Sequence, residues 1–116
     1  MASLLGLGGS DVIHIVQFKF SPTTESHVVA KTCRDFVALQ KTCLKDGKTY
    51  IASIKAGKDV SIEGKSGGFT HAFVVRFKSL GDRDYYIRQD PIHAGFANGL
   101  IGVEASSVVD FVDGEF

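Results

Sequence analysis

The chain has 116 residues, 44% of them apolar, which is enough for one domain with one hydrophobic core and too few for two. Its 13 basic and 13 acidic side chains cancel, so nothing in the charge supports a nucleic acid partner or a membrane partner. No apolar run approaches the roughly 20 residues that span a bilayer, and the N-terminal residues lack the cationic start of a secretory signal. We expect a cytoplasmic protein in which Cys33 and Cys43 are thiols.

Residues 1–11, rich in glycine and serine, predict a flexible arm before a single domain over residues 12–116. Strict alternation over residues 12–20 predicts the first strand. One face of this strand is apolar except for one histidine: Val12, His14, Val16, Phe18 and Phe20.

Hydroxyl residues around Pro22 then predict the start of a helix over residues 26–44, whose apolar stripe includes Phe36 and Val37. Asp46-Gly47 predicts a turn, and residues 50–60 predict a weaker strand with a bulge near residues 57–59. Residues 61–68 form a polar glycine-rich loop. Residues 69–77 predict a central strand, again with a histidine, His71, on a face of apolar side chains that includes Phe73.

Ser79 to Asp82 resembles a capping box and predicts a short helix through Ile87. Pro91 predicts the start of another helix, which runs to about residue 99, and residues 103–112 predict the last strand. The order β-α-β-β-α-β predicts an α+β, ferredoxin-like fold, with a four-stranded antiparallel sheet and helices on one face. The other face carries Ile13, Ile15, Ala72 and Val74, which a second copy of the chain could cover; the pattern alone leaves monomer and dimer open.

His14 and His71 occupy matching faces of two strands, so we expect them to share one compartment, with His93 near its mouth. Tyr85 and Tyr86 are adjacent, so at most one faces inward, and a tyrosine beside a histidine can support acid–base chemistry. The alternative is that each ring is a hydrogen-bonded core group. No histidine pair has metal-ligand spacing, so neither a metal nor another cofactor is expected.

Four segments, residues 12–20, 57–60, 68–73 and 90–96, together resemble the stress-responsive A/B barrel family, also called Dabb. The resemblance covers about residues 11–113. It implies a ferredoxin-like protomer whose sheet meets that of a second copy, so that a homodimer forms a dimeric α+β barrel.

The family member with the best-defined activity is a plant polyketide cyclase, olivetolic acid cyclase, which needs no cofactor. The resemblance implies that His93 is the catalytic base and that Tyr86 or Tyr85 donates to the developing oxyanion. One extra residue before Asp90-Pro91 leaves the choice of tyrosine open. The implied binding residues for an apolar or polyketide-like small molecule are His14, His71, Phe18, Phe36, Val37 and Phe73.

The competing hypothesis is a non-catalytic, stress-associated structural or binding protein with a filled core, so the sequence leaves open whether the protein is an enzyme. A cavity distinguishes the two hypotheses. About 300 Å³ or more, lined by all three of His14, His71 and His93, would support a ligand.

Overall fold

The computed structural model describes residues 10–116. Its elements, in chain order, are β1 Val12–Phe20, α1 Ser26–Thr42, β2 Leu44–Lys45, β3 Lys48–Thr49, β4 Ile51–Lys58, β5 His71–Phe77, α2 Leu80–Arg88, α3 Pro91–Asn98 and β6 Val103–Val112. The predicted order is therefore confirmed, with β2 and β3 added as a small separate hairpin.

The main sheet has the strand order β4-β5-β1-β6, and every neighbouring pair is antiparallel. This is the ferredoxin-like arrangement that the sequence predicted. In its centre, His14 lies opposite Val75 on β5 and opposite Asp110 on β6. Phe18, four residues further along β1, lies opposite His71.

The core lies between the helices and one face of the sheet. Every second residue of β1 is buried, and Phe73, Val75 and Phe77 of β5 are completely buried. Helix α1 adds Phe36 and Leu39, and α2 adds Tyr86. The alternation that is visible in the sequence therefore separates the core face of each central strand from the opposite face.

Turn chemistry explains the hairpin that the sequence did not predict. Asp46 and Gly47 have φ angles of 53° and 77°, and they connect the paired residues Lys45 and Lys48. Two central residues with positive φ make a type I′ turn, which matches the twist of a two-residue hairpin. The predicted turn is confirmed.

The bulge predicted near residues 57–59 is wrong. Gly57 and Lys58 pair in register with β5, and the register shifts instead between Ile51 and Ser53. The glycine at position 57 has nothing within 4 Å of where a Cβ would lie, so it marks open space beside the strand.

Both short helices begin as the sequence predicted. The Ser79 hydroxyl accepts a hydrogen bond from the Asp82 amide at 3.1 Å, which caps α2. Asp90 caps α3 by accepting from the Ile92 and His93 amides, and Pro91 occupies the first turn, where its missing N–H costs nothing.

The predicted flexible arm, residues 1–11, lies outside the described residues except for Ser10 and Asp11. Asp11 is held to the domain, because its carboxylate pairs with Arg76 at 2.6 Å and its carbonyl accepts from the Asp113 amide. None of the helices between Ser10 and Phe116 combines the length and apolar character that crossing a membrane requires.

Candidate functional site

A cavity of about 280 Å³ lies between the helix-facing side of β1 and β6 and helices α2 and α3. We call it the histidine cavity. Its walls are largely apolar, and its polar side chains are His14, Tyr86, His93 and Ser106. An apolar cavity with a few polar groups is the usual form of a small-molecule site.

His93 lies in the first turn of α3 and is half-buried. Its Nδ1 lies 2.7 Å from the Tyr86 carbonyl oxygen, which can only accept, so in the neutral ring Nδ1 carries the proton. Nε2 is then an acceptor, and it has no hydrogen-bond partner among residues 10–116. Burial lowers the pKa of His93 below its usual range, although the Tyr86 carbonyl acts against this shift. At neutral pH the ring is therefore a neutral base of fixed orientation.

Tyr86 is completely buried, and its ring stacks on that of His93 with a centroid distance of 3.8 Å. Its hydroxyl has no hydrogen-bond partner among residues 10–116. Burial raises the pKa of Tyr86, and nearby Cys43 and Asp90 raise it further, so the phenol keeps its proton. A buried hydroxyl without a partner costs stability, and a functional role is one of the explanations for keeping such a group.

His14 is only 4% exposed, and its ring packs edge-on against Tyr86. Its Nδ1 lies 2.7 Å from the Asp110 carboxylate, whose other oxygen accepts from Arg83 at 2.7 Å. These contacts of the Asp110 carboxylate with His14 and Arg83 fix the orientation of the His14 ring.

A hydrogen-bonded pair of side chains, Tyr50 and Asp90, lies behind the site and positions α3. Tyr50 donates its hydroxyl proton to Asp90, a carboxylate that is only 2% exposed and that also caps the helix carrying His93. Burial first, and then Asp90, raises the pKa of Tyr50. Buried Cys43 lies beside this pair, and its pKa is raised to about 12, chiefly by burial and then by Asp90. Its thiol is therefore unreactive at neutral pH.

The structure divides the predicted site residues into two groups. His14, His93, Tyr86, Phe18 and Phe36 all line the histidine cavity. Phe73 is fully buried beneath the cavity. Its ring centroid lies 4.2 Å from that of Phe36, on which it stacks, and 5.0 Å from that of Phe18.

The expectation that His71 shares a compartment with His14 is wrong. The two rings do lie on the same face of the sheet, but the register places His71 four residues along from the partner of His14, about 13 Å away. His71 packs against Phe20 and bonds Thr70, and it lines a different cleft. Val37 lines that cleft too, and it is 39% exposed.

The structure also distinguishes the two adjacent tyrosines. Tyr85 points out of the core, where its hydroxyl donates to the Leu44 carbonyl at 3.1 Å and its ring packs against Tyr50. Only Tyr86 lines the histidine cavity.

Asp110 and Asp90 were missed as site residues. The sequence does show a charged residue, Asp110, on the same face of β6 as Val108 and Val112. It does not show that His14 is the partner of Asp110, because that contact depends on the strand order. Asp90 precedes a proline at the first position of a helix, which is a typical N-cap signal. Across the described residues, no group of three or more histidine, cysteine or carboxylate side chains could hold a metal ion.

The model of the Stress Responsive A/B Barrel Domain family, Dabb, matches residues 12–113. The chain belongs to this family. No curated protein sequence matches the chain.

Solved structures show the same fold. The hydroxynitrile lyase of Passiflora edulis is 22% identical with a TM-score of 0.80, over 93% of this chain and 97% of that one. A protein of Arabidopsis thaliana is 24% identical with a TM-score of 0.79, over 90% and 97% of the two chains. A ferredoxin-like protein of Jannaschia sp., described as dimeric, is 17% identical with a TM-score of 0.69, over 87% and 97%. The fold of this chain is thus also the fold of at least one enzyme.

Proposed function

We propose that the histidine cavity binds a small organic carbonyl compound and catalyses, without a cofactor, the making or breaking of a carbon–carbon bond next to the carbonyl group. The observation that carries this proposal is the stacking of His93, whose Nε2 can accept a proton, on Tyr86, whose hydroxyl has no hydrogen-bond partner among residues 10–116. One group accepts a proton, and the other keeps one to donate.

In the condensation direction, His93 Nε2 removes a proton from an activated methylene, and the carbanion attacks a carbonyl carbon. Tyr86 donates a hydrogen bond to the carbonyl oxygen as it becomes an oxyanion, and the oxyanion then takes the proton that His93 holds. In the cleavage direction, His93 removes the hydroxyl proton, the carbon–carbon bond breaks and the released carbanion takes that proton back from His93. An aldol cyclase uses the first direction, and a hydroxynitrile lyase, the activity named for the Passiflora relative, uses the second.

His14 completes the site as a positioned polar ring. Because Asp110 occupies its Nδ1, only Nε2 is left for the ligand. The apolar walls, which include Phe18, Phe36 and Phe96, hold the hydrocarbon part of the substrate. The cavity lies just below the range of about 300–1,000 Å³ for drug-sized ligands, which favours a compact substrate.

The non-catalytic alternative required a filled core, and the open cavity counts against it. The cavity does not meet the expectation for a ligand site in either respect, because its volume of about 280 Å³ is below about 300 Å³ and His71 does not line it. A non-catalytic binding protein would have the same cavity, but its function would not require His93 to accept a proton.

Cleavage of racemic mandelonitrile, followed by benzaldehyde absorbance, tests the proposal. We expect His93→Gln to lower kcat/KM by about 10²–10⁴-fold and Tyr86→Phe by about 10²–10³-fold. His27→Gln is the matched control, since His27 is an exposed helix residue beside Glu25, and it should have no effect.

Histidine-ring NMR with an alkylresorcinol supplies a readout of binding. The His14 and His93 signals should shift, and the His27 signal should not. If the wild type binds the ligand but turns over neither mandelonitrile nor a linear polyketide thioester, the non-catalytic binding function replaces the catalytic one.

We also infer a homodimer, formed through the sheet face that the helices leave uncovered. Ile13 pairs across strands with Phe111, and Ile15 pairs with both Val74 and Val109, which makes an apolar patch over three strands. Val109 and Phe111 are 59% and 44% exposed in the single chain. A patch of this kind is typical of an interface between copies.

A further inference from the structure

A second and larger concavity, of about 780 Å³, lies between the first half of α1 and the ends of β4 and β5. We call it the α1 cleft. It shares no lining residue with the histidine cavity. Its apolar surface comes chiefly from Phe20, Pro22, Val29, Cys33 and Val37, so it can cover a hydrocarbon chain or ring.

Among residues 10–116, the charged side chains that line the α1 cleft are both basic. They are Arg34 and Lys58, and no aspartate or glutamate of those residues lines the cleft, although the chain has equal numbers of acidic and basic residues. Neither cation forms an ion pair with a carboxylate within residues 10–116, whereas Lys31, Lys45, Arg76 and Arg83 do. Two cations beside an apolar surface complement an anion attached to a hydrocarbon.

The polar side chains of the α1 cleft indicate where the charged end of such a ligand would lie. Lys58 is close enough to His71 to lower the pKa of that ring, after burial, and Arg34 is close enough to Cys33 to act on the charge of its thiolate. The Thr70 hydroxyl gives its single proton to the Phe18 carbonyl, so the His71 Nδ1–H donates to Thr70. The neutral His71 ring is therefore held in place beside Lys58.

We propose that the α1 cleft is a second ligand site, which binds an organic carboxylate with an apolar body. The carboxylate lies between Arg34 and Lys58, and the hydrocarbon lies along Val29, Cys33 and Val37. The site is separate from the proposed catalytic function, because it uses none of the residues of the histidine cavity.

Decanoate and its uncharged counterpart 1-decanol test the proposal by calorimetry and histidine-ring NMR. We expect decanoate to bind at least about tenfold more tightly, because a hydrogen bond to a charged group is stronger than one between neutral groups. The His71 signal should shift with decanoate, while the His14 and His93 signals stay in place. Equal affinities, or a shift of His93 instead of His71, would overturn the proposal.

Three variants locate the binding site within the α1 cleft. Arg34→Gln and Lys58→Gln should each weaken decanoate binding by about threefold to tenfold and leave decanol unaffected. Lys41→Gln, at the other end of α1 and outside the cleft, is the matched control and should bind like the wild type. A loss in Lys41→Gln equal to that in Arg34→Gln would indicate attraction by general surface charge and would refute the site.

Filling the cleft provides a test that does not depend on charge. Ala56 is exposed, lines the cleft and lies opposite Phe73, so its side chain is on the helix-facing side of the sheet. Ala56→Phe should abolish binding of both decanoate and decanol. Unchanged His14 and His93 signals would show that the variant is folded, and undiminished decanoate binding by that folded variant would overturn the proposal.

Discussion

Removing one hydroxyl from each of three tyrosines should have three different effects on stability. Tyr50 donates to a buried carboxylate at 2.5 Å, Tyr85 donates to a carbonyl at the surface, and the buried hydroxyl of Tyr86 has no partner among the described residues. Tyrosine to phenylalanine changes little else, because each ring and its packing are kept. The comparison therefore isolates the hydroxyl groups.

The expected magnitudes follow from these environments. Tyr50→Phe should lower the free energy of unfolding by about 1.5–3 kcal/mol, which is typical of a hydrogen bond to a charged group. Tyr85→Phe should cost about 0.5 kcal/mol or less, because water can donate to the exposed Leu44 carbonyl in place of the lost hydroxyl. Tyr86→Phe should be neutral or stabilising by up to about 1–3 kcal/mol, since it removes a hydroxyl that folding strips of water without compensation.

Urea denaturation measures these differences, at one fixed protein concentration because the proposed dimer makes stability depend on concentration. The same Tyr86→Phe protein should lose turnover while it gains or keeps stability, a combination that is typical of a residue kept for function. A loss of more than about 1 kcal/mol in Tyr86→Phe would mean that its hydroxyl is satisfied in solution, and the reasoning about this group would fail.

Three further predictions concern backbone strain, pH and assembly. Gly102 has a φ of 77°, and a Cβ there would lie 2.3 Å from the Thr24 hydroxyl, so Gly102→Ala should cost about 2–4 kcal/mol by denaturation. Gly114→Ala is the control, with a φ of 84° and nothing within 4 Å, and should cost only about 1–2 kcal/mol; equal losses would exclude the clash. Because the pKa of His93 is lowered, its neutral ring persists as the pH falls through the usual histidine range. We therefore expect kcat/KM to decline only below about pH 6.5. A decline that begins above that pH would contradict the role of His93 as the base. The lowered pKa of His93 also affects stability. Its contribution to the free energy of unfolding is present above the pKa that His93 has in the unfolded chain and is lost as the pH falls through the lower pKa of the folded protein. This pH dependence should be seen in the wild type and be absent in His93→Gln. Val109→Glu should convert dimers to monomers in light scattering, whereas Val60→Glu, at a loop residue that is 87% exposed, should not.

Local pattern determined most of the fold. The nine-residue alternation of β1 and the ten-residue last strand have the predicted limits, and the capping hydroxyl of Ser79 and the proline at position 91 begin helices where they were expected. These features depend on side chains within a few residues of one another, so the chain itself specifies them. Three predictions had shifted limits. The helix predicted to reach residue 44 ends at Thr42, the weaker strand is Ile51–Lys58, and the central strand predicted from residue 69 begins at His71.

The site depended on relations that no local pattern contains. His14 and His71 share a face of the sheet, yet the antiparallel register separates them, and only the position of β6 at the edge of the sheet brings Asp110 to His14. The packing of α2 against α3 likewise selects Tyr86 over Tyr85, because it stacks one ring on His93 and leaves the other at the surface. The local pattern is enough to predict which residue types face inward. Which of them meet depends on register, strand order and helix packing, and these are set by contacts between residues far apart in the chain.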